Sequence, residues 1–242
     1  MFSVPSHTEL EKMMSLLQGI FFPDYYPHHG LPVMELRSVL TAQLEAVMHG
    51  ADNQPVEITE AFIAQLPEIS RMLHTDVQAT ICNDPAVDSE AEVVLCYPIT
   101  FEMVHYRVAH ALHLLGVKLL PRMLTEMAHS KTGIDIHPAA TIGEYFCIDH
   151  GTGVVIGATS IIGSHVVLYQ GVTLGARNFQ YDADGHPIDQ PRHPIIEDNV
   201  TIYSNTSVLG RIRIGHDTVI GGNVWLTHDV EPHSRILQAA AK

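Results

Sequence analysis

The chain has 242 residues, 46% of them hydrophobic, enough for a well-buried core in one large domain or two small ones, and its apolar runs stay short of the about 20 residues that a membrane span needs. A net charge of −14 excludes nucleic acid as the main partner, because counterion release needs a basic surface, so an anionic ligand would need a local group of arginines. Cys82, Cys96 and Cys147 are too few and too far apart for a disulfide framework or a zinc cluster, and residues 1–19 carry Glu9 and Glu11 where a signal peptide needs a basic start, so a cytoplasmic address is expected.

As far as residue 131 the apolar residues follow three- and four-residue spacing. Leu36, Val39, Leu40, Leu44 and Val47 form one stripe; Phe62, Ile63, Leu66, Ile69 and Leu73 a second; Val104, Val108, Leu112, Leu115 and Leu119 a third. These are helix-packing faces. Breaks are expected at Pro32, at 50–55, at Asn83-Asp84-Pro85 and at Pro121. The segment from Phe21 to Gly30 reads as an irregular connector.

After Lys131 the rhythm changes. Apolar residues fall at Ile136, Ile142 and Ile148, then at Ile156, Ile162, Leu168 and Leu174, then at Ile196, Ile202, Val208, Ile214, Ile220 and Leu226. Most have a second small or β-branched residue four positions on (Ala140, Thr152, Val166, Val172, Val200, Thr206, Thr218, Val224), and Gly often follows the first. A period of six over this length fits neither a helix nor an alternating strand; it reads as a parallel β-helix in which three hexapeptides make one triangular coil. The fold class is α+β. The expected organisation is an α-helical domain at 1–131, a β-helix at 132–237 with an extended loop at 175–195, and a short tail at 238–242.

The period breaks twice. Two extra residues between Ile148 and Ile156 place Asp149-His150-Gly151-Thr152-Gly153 in a bulged turn, and a long insertion runs from Gly175 to Ile195. Insertions leave a solenoid as loops and tend to carry function. His150 lies nearly one coil after Asp135, so the two can meet at adjacent rungs as an acid–base dyad; a solvated turn His is an equally good reading of the spacing. Two positions after the stacked Ile148, Leu168, Ile202 and Ile220 come His150, Gln170, Ser204 and Gly222, a column of mostly small residues beyond a His. At roughly 4.8 Å per coil, its groove of about 15 Å has the length of an extended pantetheine arm. Arg192, which closes the long loop with His193 and Pro194, suits a substrate carboxylate, although a solvated loop Arg is more common. Arg177, Arg211, Arg213 and Arg235 are candidates for cofactor phosphates.

The segments Asp84-Pro-Ala-Val-Asp88, Asp135-Ile-His-Pro-Ala-Ala140, Asp149-His150 with Thr152-Gly153, Gly171-Val-Thr-Leu-Gly175 and Arg192-His193-Pro194 together closely resemble serine O-acetyltransferases, in the family's order, from about Asp76 to the end of the repeats. The resemblance implies left-handed winding of the β-helix and transfer of acetyl from acetyl-CoA to the hydroxyl of L-serine, without a metal. It implies His150 as general base with Asp135 as its partner, Asp84 and Asp149 at the substrate amino group, and Arg192 with His193 at its carboxylate. It also implies cofactor contacts at Ala176, Ser204 and Gly222 between neighbouring β-helices of a homotrimer, or of a dimer of trimers, and inhibition by L-cysteine. Four features depart from the family: Ala158 where Glu is common, a longer loop before Arg192, a cofactor loop that reads Ala176-Arg177-Asn178-Phe179 where the family is Gly-rich, and a poor match before residue 70. Because the chain ends Ala-Ala-Ala-Lys242 and not in the family's long tail, weak or no complex with O-acetylserine sulfhydrylase is expected. The rivals are a hexapeptide acetyltransferase for another amino acid or a sugar, a zinc β-helix enzyme using His228 and His233, and a non-catalytic assembly module.

Overall fold

A computed structural model describes residues 4–27, 30–48, 54–178, 181–186, 188 and 190–238. Among them, seven helices precede fourteen short strands. The helices are α1 (His7–Phe21), α2 (Pro32–Val47), α3 (Gln54–Ile63), α4 (Leu66–Asn83), α5 (Glu90–Cys96), α6 (Pro98–Leu114) and α7 (Leu120–Thr132). Four of them, α2, α4, α6 and α7, carry proline in the first turn, where the missing N–H would have had no partner. That chemistry sets the breaks at Pro32 and Pro121. It also divides the second apolar stripe, because Pro67 starts α4 after α3 has ended at Ile63. The third stripe overruns its helix: α6 stops at Leu114, and Gly116 (φ 79°) and Leu119 (φ 67°) turn the chain into α7. None of the helices is long and apolar enough to cross a membrane.

Helix α6 is buried on all sides, with Ile99, Met103, Val104, Tyr106, Val108 and Leu112 each at most 3% exposed, which is the pattern of a central helix. It packs against α4 and α7 and ties the helices to the first coil. Arg107 clamps Asp76 of α4 through two bonds of 2.6 and 2.8 Å and also donates to Gly143 O at 2.8 Å. Asp76 accepts Phe146 N–H at 3.1 Å, and Tyr106 donates to Ala140 O at 2.6 Å. Burial opposes the charge on Arg107, but the attraction of Asp76 outweighs it and holds the guanidinium above its ordinary pKa.

The strands follow in coils: β1 (Asp135–Ile136), β2 (Thr141–Ile142) and β3 (Cys147–Asp149); β4 (Val155–Ile156), β5 (Ile161–Ile162) and β6 (Val167–Tyr169); β7 (Thr173–Gly175), β8 (Ile195–Ile196) and β9 (Thr201–Ile202); β10 (Ser207–Leu209), β11 (Arg213–Ile214) and β12 (Val219–Ile220); β13 (Trp225–Leu226) and β14 (Arg235–Ile236). They form three parallel sheets, ordered β1-β4-β7-β10-β13, β2-β5-β8-β11 and β3-β6-β9-β12-β14. Register places the period-six residues one above another: Ile148, Leu168, Ile202 and Ile220 align in the third sheet, and all four are buried. The glycines that follow such residues permit close stacking, since a Cβ on Gly143 would meet Gly163 backbone at 2.7 Å. One member of the secondary set differs: Thr152 is exposed and Val154 fills the interior, because the two-residue bulge shifts the register there.

The long loop is bracketed by β7 and β8; its residues 179, 180, 187 and 189, and tail residues 239–242, lie outside the described residues. The connector expected from Phe21 begins one residue later, because α1 extends through Phe21; residues 28 and 29 also lie outside the description.

Candidate active site

The coils turn at three corners, and the site residues occupy two of them. At the corner between the third and first sheets, the stacked column is His150, Gln170, Ser204 and Gly222. The following position is the one that adopts left-handed backbone in each coil: Gly151 (φ 88°), Gly171 (73°), Asn205 (57°) and Asn223 (56°). His150 is different. It also has φ 58°, although it stands one position earlier, where Gln170, Ser204 and Gly222 do not have positive φ. The bulge thus holds a non-glycine residue in a conformation that costs of the order of 1 kcal/mol, a kind of strain concentrated at functional sites. Its side chain is 76% exposed, and Nε2 is 3.9 Å from Asp149 Oδ1.

Helix α4 brings the second carboxylate. Asp84 caps its C-terminus, accepts Ala86 N–H at 2.8 Å, and accepts the Tyr97 phenol at 2.6 Å. Those bonds, first from Tyr97 and then from Ala86, hold the Asp84 carboxyl below its ordinary pKa, helped by the charge of His150. Tyr97 is pushed up to about 12, chiefly by its bond to Asp84, with burial and the charges of Asp84, Glu92 and Asp149 adding to the effect. Asp84, Asp149, Tyr97 and His150 therefore share one electrostatic neighbourhood. Asp135 of β1 pairs in register with Val155 of β4 in the first sheet, but its carboxylate contacts Arg122 of α7 at 3.5 Å; among the described residues it makes no hydrogen bond to His150. The dyad anticipated from the spacing is not a hydrogen-bonded pair among the described residues, and the Asp135 carboxylate lies beside Arg122.

Arg192 and His193 lie at a different corner, between the first and second sheets. Thr159 is their centre: its Oγ1 accepts the N–H groups of Arg192 (2.9 Å) and His193 (3.0 Å) and lies 2.8 Å from His193 Nδ1. Arg211 donates to Thr159 O at 2.6 Å and to His193 O at 3.0 Å. Burial, reinforced by the charges of Arg192, His137 and Arg211, drives His193 down to about 4, so the ring is neutral at physiological pH. Arg177, Arg192 and Arg211 line a cavity of about 260 Å³ at this corner.

The cofactor candidates divide in the same way. Ser204 and Gly222 lie in the His150 column, where a Cβ on Gly222 would sit 3.1 Å from Ser204 O, whereas Ala176 follows β7 at the Arg192 corner. Gln170 Oε1, one coil below His150, is buried and has no hydrogen-bond partner among the described residues. Beside that column, Tyr169 and Tyr203 stack with ring centres 4.7 Å apart.

The structure thus gathers Asp84, Asp149 and His150, keeps Arg192 with His193, and separates the two groups. His228 and His233, the pair named for a zinc enzyme, are also apart: His233 lies at the third corner, with His216 at 4.8 Å between ring centres. Tyr97 and Thr159 are not evident from the sequence, and Arg211, a candidate there for cofactor phosphates, donates here to Thr159 O and His193 O. Tyr97 has a partial signal, since it directly precedes a helix-opening proline and follows Asp84 by 13 residues with α5 between them, but the hydrogen bonds of Thr159 and Arg211 form between coils.

A family model described as bacterial transferase hexapeptide (six repeats) matches residues 193–228. A plasmid serine acetyltransferase of Synechococcus elongatus is 53% identical over 184 residues, covering 76% of this chain, which in turn spans 58% of that relative. Serine acetyltransferase of Bacillus subtilis is 40% identical over 167 residues, 69% of this chain and 73% of the relative. The crystal structure of serine acetyltransferase isoform 3 from Entamoeba histolytica in complex with cysteine covers 95% of this chain and 82% of its own, at 34% identity and a TM-score of 0.84. The solenoid is accordingly the left-handed hexapeptide β-helix. The chain belongs to the serine acetyltransferase family.

Proposed function

We propose that the chain transfers acetyl from acetyl-CoA to the hydroxyl of L-serine, giving O-acetylserine for cysteine biosynthesis. The observation that carries this reading is the strained, exposed His150 beside Asp84 and Asp149, with the cation Arg192 and the neutral His193 together at another corner. A zwitterionic acceptor needs both charge sets, and a sugar needs neither. His150 takes the proton of the serine hydroxyl as that oxygen attacks the thioester carbonyl. The C–S bond then breaks, and the leaving thiolate takes the proton from the imidazolium to give free CoA. Asp84 and Asp149 receive the amino group, and Arg192 and His193 the carboxylate.

Direct transfer, with no acyl-enzyme, is supported by the state of the thiol two residues before Asp149: Cys147 is buried and pushed up to about 12 by burial, so it supplies no thiolate at neutral pH. The acyl carrier is assigned to the column below His150, where Gln170 Oε1 offers an unused acceptor to an amide N–H of the pantetheine arm and Ser204 and Gly222 leave room. Asp135 is assigned as the partner of His150 once Arg122 releases it. Because the two charge sets stand at different corners, a homotrimer, alone or as a dimer of trimers, is the assembly we propose: a corner of one copy meets a different corner of the next. L-Cysteine, carrying the same amino and carboxylate groups, is proposed to inhibit by occupying their contacts.

Thiol release from acetyl-CoA, measured against serine, homoserine and several sugars, tests the proposal. Serine-dependent release well above the others is expected; equal rates with a sugar would overturn the assignment.

A further inference from the structure

We infer that Thr159 is a positioning residue that locks His193 in one neutral tautomer, with its proton on Nε2, so that the ring presents a hydrogen-bond donor to the acceptor molecule. The inference rests on the reading of Arg192 and His193 as the carboxylate-binding pair, and extends it to the groups that prepare them.

The argument is a count of hydrogens. The backbone N–H of Thr159 points at His193 Nδ1 at 3.1 Å, and a backbone N–H can only donate, so Nδ1 must offer its lone pair. The Thr159 hydroxyl, 2.8 Å from the same nitrogen, already accepts the N–H groups of Arg192 and His193, which leaves its own hydrogen free to reinforce that polarity. A proton on Nδ1 would face one N–H and compete with a second donor. The ring proton therefore belongs on Nε2, which has no hydrogen-bond partner among the described residues.

The ring is also fixed in place. It lies directly over Gly157, where an added Cβ would come within 2.0 Å of Cδ2 and 2.1 Å of Nε2. Only the absence of a side chain at 157 admits the imidazole. Arg211 holds the backbone from the far side by bridging Thr159 O and His193 O. Gly157 and Thr159 of the second coil and Arg211 of the fourth, on either side of His193 in the third, thus fix the plane, the tautomer and the backbone of His193. A fixed donor suits a carboxylate oxygen, which accepts only; a cationic ring would not tolerate the Thr159 N–H.

The experiment is nitrogen NMR of the full chain labelled at histidine, with His193 assigned by its loss in His193→Gln, together with steady-state kinetics. In the unaltered chain the His193 pair of ring resonances should show the Nε2–H form, unchanged from pH 8 down to about pH 5. A charged ring or an Nδ1–H tautomer at neutral pH would overturn the inference, whatever any variant does. Thr159→Val keeps the backbone N–H and loses the hydroxyl that holds the Arg192 and His193 N–H groups, so the Nε2–H form should persist while the ring loses its fixed position: KM for serine should rise several-fold with KM for acetyl-CoA unchanged, and Thr159→Ser should restore it. An unchanged KM for serine in a folded Thr159→Val would also overturn the inference; should that variant not fold, Gly157→Ala gives the same test by displacing the ring. The expected spectrum without serine-dependent thiol release would support the lock and overturn the functional reading instead.

Discussion

Tyr97 donates its phenol O–H to Asp84 Oδ2 at 2.6 Å, joining the residue before α6 to the one that caps α4. One bond thereby sets the orientation and the ionisation of a carboxylate assigned to the substrate amino group. Tyr97→Phe removes the largest influence that lowers the Asp84 pKa, so that pKa should rise. The pH below which serine binding weakens should move upward with it. KM for serine at neutral pH is expected to increase about three- to tenfold, as for loss of one hydrogen bond to a charged group, with kcat little changed. A KM unaltered across the acid range would remove Tyr97 from the site.

His150→Ala should lower kcat by about 10²- to 10⁴-fold, the usual range for a general base. The exposed side chain makes this a change of chemistry and not of folding, and circular dichroism should be unchanged. Combining His150→Ala with Arg192→Ala chains also tests where the two corners meet. If each site draws its base from one copy and its carboxylate clamp from the next, random mixed trimers should recover about one quarter of the sites. Recovery of no activity from subunits shown to exchange would place both residues in the same copy's site.

Gln170→Leu fills nearly the same volume while removing the buried acceptor that lacks a partner in the column below His150. If an amide of the acyl carrier binds there, KM for acetyl-CoA should rise while KM for serine stays constant. A rise in the serine KM alone would move Gln170 to the acceptor side.

The fold was legible because its signal is local and repeated: an interior residue every six positions fixes register in Ile148, Leu168, Ile202 and Ile220 without knowledge of any distant contact. The bulge at His150 was equally legible, since two extra residues must leave the coil. What the sequence does not reveal by itself is which corner a residue faces after several coils: Ala176, which the resemblance sets with Ser204 and Gly222 between neighbouring β-helices, stands at the Arg192 corner and outside their column. Partners supplied by the helices were hidden for the same reason. Nothing in the spacing of Asp135 shows that Arg122 competes for it, or that Tyr97 reaches Asp84. The short helix α5 has too few turns to show a periodic stripe.

Arg107 is a buried cation between helices and solenoid, paired with an equally buried Asp76. Arg107→Met would leave Asp76 charged, dry and without its clamp, and should cost about 3–5 kcal/mol of stability. Adding Asp76→Leu should recover much of that loss, because the uncompensated charge is then gone. Chemical denaturation of the two variants measures the difference; equal stabilities would mean that the isolated carboxylate carries no penalty.

Glu102 of α6 gives an expected pH dependence. It is fully buried, its Oε1 has no partner among the described residues, and burial pushes it up to about 8 despite a hydrogen bond with Thr132. The surroundings favour the neutral acid independently. Thr132 Oγ1 has one hydrogen and lies 3.0 Å from Ile134 N–H, 2.9 Å from Ala128 O and 2.9 Å from Glu102 Oε2. A neutral carboxyl can donate to that oxygen, which leaves the Thr132 hydrogen for Ala128 O; an ionised one forces Ala128 O and Glu102 to compete for it. In the unfolded chain Glu102 ionises near its ordinary value of 4.5, so between that pH and about 8 the folded state holds a proton that the unfolded state has released. Stability must therefore fall with rising pH across this window, by an amount on the order of a few kcal/mol at its upper end, and be unaffected below it. Glu102→Gln cannot titrate. Its melting temperature relative to that of the unaltered chain should be highest at pH 8 and decline towards pH 4.5, and a constant difference over that range would show that Glu102 does not hold its proton in the folded protein.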